Sequence, residues 1–129
     1  EAGHCVAATR YNGEKQTIAL DENYTTLCDT VCNLLEHVIP EGMLQKAKEN
    51  RTNRTYVCRS LDEITKALEE HGDGFVEAMW CGEEACEDKV KEVTGVGSRC
   101  IPLEQKHIAD TCVCCGKPAK HMVLWAKAY

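Results

Sequence analysis

Ten cysteines stand among 129 residues, and four of them fall in two close pairs: Cys81 and Cys86 with four residues between them, and Cys112 and Cys115 with two. Twenty-five residues separate the pairs. Two chelating turns at that distance are what tetrahedral zinc needs of a chain. Each pair lies beside a glycine, Cys81-Gly82 and Cys115-Gly116, where backbone amides can come close enough to hydrogen-bond thiolate sulfur. Four thiolates leave no coordination position open to water, so an ion held this way is structural and does not catalyse. A metal-free remnant of such a site is a second reading, and disulfide or redox chemistry a third. Cys114 adjoins the second pair, but a Cys112–Cys114 choice would leave one intervening residue where two is the commoner metal spacing, so Cys114 is expected to be a bystander.

The remaining cysteines invite a blander account. Cys28 and Cys32 lie four apart on one helix face, and Cys5, Cys58 and Cys100 fall in strands; all five are expected to be small buried apolar residues. An even cysteine count with Asn-x-Thr sequons at Asn23, Asn50 and Asn53 would suit a secreted disulfide scaffold. Such scaffolds spread cysteines through short loops, whereas four cluster here, so a reduced, cytoplasmic chain with unglycosylated sequons is expected.

Composition narrows the classes further. A chain that is 43% hydrophobic and 28% charged is globular rather than disordered. Fifteen basic against 21 acidic residues, net −6, argue against a protein whose main task is neutralising nucleic-acid phosphates, and DNA is not an expected partner. No apolar run reaches the about 18 residues of a membrane span. The five histidines, His4, His37, His71, His107 and His121, have no partner spacing. The acids Glu83, Glu84, Glu87 and Asp88 read as a solvated helix face, with Glu87 and Lys91 an i,i+4 pair. Gly95-Val96-Gly97-Ser98-Arg99 joins a helix to a strand, the reverse of the order that cradles phosphate, and reads as a turn. No nucleophile stands beside a base, and no catalytic residue is expected in this chain.

The residues up to about 50 predict a β-hairpin, 4–10 and 15–20 around Asn12-Gly13, then a helix capped by Asp21 and stopped by Pro40, and another short helix from Met43 to Glu49. A hairpin and two helices bury little surface alone, which suggests the end of a larger domain, with a boundary in the polar stretch from Asn50 to Asn53. Beyond it, strands are expected at 55–60, 75–81, 98–103 and 119–129. Helices are expected from Ser60, whose capping box with Glu63 opens the first, and over 82–95. The order β-α-β-α-β-β makes residues 51–129 a two-layer α+β domain with a zinc knuckle.

Three segments carry a family likeness: WCGEEACEDKVKEVTG, then RCIPLEQ, then CVCCGKPAKHMVLWAKAY. From about Thr55 to Tyr129 the chain resembles the C-terminal zinc-binding domain of prolyl-tRNA synthetases of the archaeal and eukaryotic type. Residues 1–50 are similar to the end of the anticodon-binding domain that precedes it. The resemblance implies a class II ligase that uses ATP and magnesium to attach proline to tRNA(Pro), with its catalytic domain upstream of these residues and a homodimeric parent. It implies that Cys81, Cys86, Cys112 and Cys115 are zinc ligands. It also implies that the last residues, Ala126 to Tyr129, turn back toward the catalytic domain, with Tyr129 a docking element. Cys114 departs from the family pattern, where a nonpolar residue is usual. The alternative is a free-standing zinc-binding module for RNA or protein, which would need Lys117, Lys120, His121, Trp125 and Lys127 to form a basic, aromatic face.

Overall fold

The computed structural model describes residues 3–128. They fall into two compact units, divided between Asn50 and Arg51.

In the first unit, strands β1 (His4–Ala8) and β2 (Lys15–Ala19) pair antiparallel, with His4 opposite Ala19 and Ala8 opposite Lys15. The turn closes through Gly13 N to Thr9 O and Thr9 N to Glu14 O, both 2.9 Å. Helix α1 (Thr25–Asn33) starts where the Asp21 carboxylate accepts the amides of Thr25 and Thr26, each at 2.8 Å. That supplies the expected cap from four residues upstream of Thr25 rather than from the adjoining residue. Pro40 does not stop the helix. Leu34–Val38 widens into a π-helical turn and α2 (Ile39–Asn53) continues from it, with the stretch expected as a boundary, Asn50 to Asn53, helical. Proline lacks an N–H and its ring clashes with the carbonyl four residues back; widening the turn just before it moves that carbonyl away. Cys28 and Cys32 are exposed and Cys5 half-buried, contrary to expectation, because α1 and α2 contain no buried residue.

The second unit runs β3 (Thr55–Val57), α3 (Leu61–His71), β4 (Phe75–Trp80), α4 (Glu84–Thr94), β5 (Val96–Cys100) and β6 (His121–Lys127). The expected β-α-β-α-β-β order is present. The sheet order is β3-β4-β6-β5, with β3 parallel to β4 and the other neighbours antiparallel. The last strand therefore lies inside the sheet, between β4 and β5. Ser60 accepts the Glu63 amide at 3.2 Å while Glu63 reaches back to the Arg59 amide at 2.7 Å, a capping box displaced by one residue. Ile64 and Leu68 of α3 and Val90 of α4 pack on Val76, Ala78, Val96, Val123 and Trp125, so both helices cover one sheet face.

On the opposite face, Lys106 Nζ meets the buried Glu77 at 2.6 Å, and Gln105 accepts the Met122 amide at 2.7 Å. The loop after β5 is thereby strapped across the strands. Of the expected glycine-rich turn only Gly95 is a turn; the residues after it are already β5, which ends before Pro102. Cys100 is exposed rather than buried, past a register break between Ser98 and Cys100.

Candidate metal centre

Strand β4 and helix α4 meet at a sharp bend. Cys81 immediately follows the strand and Cys86 lies in the first turn of the helix, where Cys86 N bonds Glu83 O at 3.0 Å. The second turn is a narrow loop. Thr111 bridges Pro118, Cys112 N bonds Lys117 O at 2.8 Å, and Gly116 N bonds Cys112 O at 3.2 Å. Two amides tie this loop to β4: Val113 N to Met79 O at 2.9 Å and Lys120 N to Trp80 O at 2.8 Å. Gly82 and Gly116 have φ of +91° and +72°, the left-handed region where a Cβ is strained, so each turn has its glycine where the chain must reverse beside a sulfur.

These turns bring the Sγ atoms of Cys81, Cys86, Cys112 and Cys115 within 4.8 Å of one another, and Cys81 Sγ lies 3.8 Å from Cys115 Sγ. A tetrahedron with zinc–sulfur bonds of about 2.3 Å has edges of about 3.8 Å, so the four sulfurs suit one shared ion. Among the described residues no other group of three or more metal-ligating side chains converges. All ten cysteines are free thiols. Cys114 is half-buried against the cluster without belonging to the converging four.

The electrostatics fit a cation. Burial pushes the Cys81 and Cys86 thiols up; hydrogen bonds from the Glu83 amide and the Cys86 side chain offset only part of this for Cys81, and the Cys115 and Cys81 side chains add to it for Cys86. Burial opposes ionisation of Cys112 too, but the amides of Cys115, Cys114 and Cys81 and the Cys81 side chain outweigh it and bring this thiol down to about 7. Cys112 thus ionises more readily than Cys81 and Cys86, and a bound divalent ion would favour the thiolate form of every sulfur it holds. Cys86 also sits at the N-terminus of α4, where the helix dipole favours negative charge.

Sequence reasoning missed one feature. Lys117 Nζ bridges both oxygens of Glu83 at 2.9 and 3.0 Å, joining the two turns across 34 residues. The hydrogen bond to Lys117 holds the Glu83 carboxyl below its usual range, and the same bond to Glu83 raises the Lys117 ammonium. The signal was legible: Cys81-Gly82-Glu83 and Cys115-Gly116-Lys117 put opposite charges at the same offset from a knuckle cysteine. Two of the five residues that the alternative reading needs for a basic, aromatic face are not free to form it. Trp125 is fully buried in the helix-facing core, and Lys117 is held by Glu83. Tyr129, the expected docking element, lies outside the described residues.

A two-layer α+β unit with four sulfurs gathered from two glycine turns defines a domain with a candidate metal knuckle, and similarity to known proteins narrows the class further. Residues 61–129 match the family model of the prolyl-tRNA synthetase C-terminal region. A proline–tRNA ligase of Clostridium botulinum, strain Okra, is 45% identical over 129 residues, 100% of this chain and 26% of that protein. One from Lachnoclostridium phytofermentans is 46% identical over the same length. The prolyl-tRNA synthetase of Cryptosporidium parvum, solved with L-proline and AMP, superposes with a TM-score of 0.81 at 26% identity, over 98% of this chain and 26% of that one. The chain belongs to the prolyl-tRNA synthetase C-terminal family. It spans about a quarter of the length of the curated relatives it matches.

Proposed function

We propose that this chain is the C-terminal part of a cytoplasmic, homodimeric proline–tRNA ligase, an enzyme that attaches proline to tRNA(Pro) with ATP and magnesium. ATP, magnesium and the catalytic residues belong to the remainder of that enzyme. Residues 1–50 are the end of its anticodon-binding domain, and residues 51–129 are a structural module that docks on the catalytic domain through Tyr129. The observation that carries this reading is the match of the whole chain to proline–tRNA ligases. Further support comes from the apolar residues that the first unit leaves exposed, among them Val31, Leu35 and Val38, which a complete anticodon-binding domain would cover.

Within the module, Cys81, Cys86, Cys112 and Cys115 hold zinc. The ion supplies a cross-link. It fastens the β4–α4 bend to the loop before β6, and so ties an interior strand to the helix layer. Metal analysis of the full-length enzyme should find one zinc for each copy of this chain; protein free of metal that takes up none would refute the zinc reading. Removing Tyr129 from the full-length enzyme should lower aminoacylation at an unchanged melting temperature. Unchanged kinetics would remove the docking role.

A further inference from the structure

We infer that Cys115 is the ligand through which metal enters and leaves the four-sulfur site, and that the Glu83–Lys117 ion pair is a latch that slows this exchange. The inference rests on the zinc reading above. Three of the four ligands are closed to solvent: Cys81, Cys112 and Cys86 are 3%, 4% and 5% exposed. Cys115 alone is exposed. A competing donor must approach a ligand it can reach, so with an ion bound Cys115 would be the first sulfur displaced. With an ion bound, a donor atom of the competitor would take the place of the Cys115 sulfur, which would then take up a proton from solvent.

The backbone points the same way. Cys81 directly follows β4 and Cys86 lies in α4, whereas Cys112 and Cys115 sit on the narrow loop at Thr111–Pro118, and of these two Cys112 is buried. For Cys115 to swing out, the Gly116–Lys117 end of that loop must part from the β4–α4 bend. The ion pair opposes this parting. Glu83 is the residue preceding α4, its carbonyl held by Trp80 Nε1 at 3.2 Å, so the carboxylate that grips Lys117 is itself anchored. Both partners lie two residues beyond a ligand, one on each turn. Four thiolates around a divalent ion also leave a net negative site, and the Lys117 ammonium beside it offsets part of that charge. Glu83 and Lys117 are positioning residues. The pair is half-exposed, with side chains 49% and 59% accessible, so its effect is on the order of a few-fold rather than orders of magnitude.

The test is zinc release from the full-length protein bearing this chain, followed with excess chromogenic chelator, for the unsubstituted protein and Glu83→Gln, Lys117→Gln, the double substitution and the exchanged pair Glu83→Lys with Lys117→Glu. Each single substitution should speed release about two- to five-fold. The double should be no faster than the quicker single, the exchanged pair should return toward the original rate, and Glu84→Gln should change nothing. In parallel, brief alkylation with peptide mapping should find Cys115 modified before Cys81, Cys86 or Cys112. Release rates unaltered by the substitutions, or additive in the double, would overturn the latch, and first modification at a buried ligand would overturn the exit route. An unsubstituted protein that binds no zinc would instead refute the metal reading, and this inference with it.

Discussion

The two units handle their apolar residues differently. Residues 51–129 bury Trp125, Ile64, Met122, Val76, Val90, Val96 and Val123 to 1% exposure or less, and add a cluster of four sulfurs. Among the described residues before 51, Ile18 is the buried hydrophobic, while Val6, Val31, Leu35, Val38, Met43 and Leu44 stay exposed. Similar hydrophobic patterning thus yields a closed core in one case and an open apolar surface in the other. Amphipathic helices gain stability when a second layer receives the apolar face. In the second unit a four-stranded sheet receives it; in the first, the sheet is a two-stranded hairpin.

Chelation is the severest challenge to that contrast. Structural zinc sites contribute on the order of 10 kcal/mol to the folded state, so on the proposed zinc reading stripping the ion, or Cys112→Ser, should unfold the second unit in preference to the first. Hydrogen exchange resolved by segment would read this as lost protection in β4 and β6, with the β1–β2 hairpin unchanged. Equal loss in both units would break the comparison. Next comes Ile64→Ala, which empties a fully buried site and should cost about 2–5 kcal/mol in denaturant titrations that follow the second unit.

The matching change in the first unit, Leu35→Ala, removes a side chain 62% exposed and should cost less than about 0.5 kcal/mol in the 129-residue chain. A cost of about 2 kcal/mol for the same change in the full-length protein would sharpen the comparison, by showing that the rest of the enzyme covers this face. The smallest effect is expected at Asp21. The Thr26 amide, the Thr26 side chain and the Thr25 amide hold its carboxyl below the ordinary 3.8. A depressed carboxylate contributes stability that is fully present above the unfolded pKa and lost as pH falls through the folded one. α1 should therefore loosen on acidification below about pH 4, and Asp21→Asn should remove that acid-dependent step from the helical circular dichroism signal. An undiminished step would assign it to another group.

Local signals were the ones readable in the amino-acid order. The Asn12-Gly13 hairpin, the Ser60–Glu63 box, the stop at Gly95 and the strand-helix alternation beyond residue 54 each depend on residues within a few positions, and all are present. The gathering of Cys81, Cys86, Cys112 and Cys115 was legible for a related reason, since each half is a short turn with its own glycine. Where a neighbour in space decides, the reading failed. Pro40 was read as a stop because proline breaks a regular α-turn, and a π-turn accommodated it. Cys28, Cys32 and Cys100 were read as buried because cysteine usually is, but burial belongs to the surroundings and not to the residue.

What the chain's own order determined, then, is the list of elements and the two metal-suited turns, because hydrogen bonds and chelate spacing act over a few residues. Tertiary structure alone decided that β6 lies between β4 and β5, that Trp125 is interior, that Glu83 grips Lys117, and that Cys115 is the one of the four converging cysteines facing water. Each of these depends on which distant segments share a surface, and that is settled by how the apolar faces close on one another.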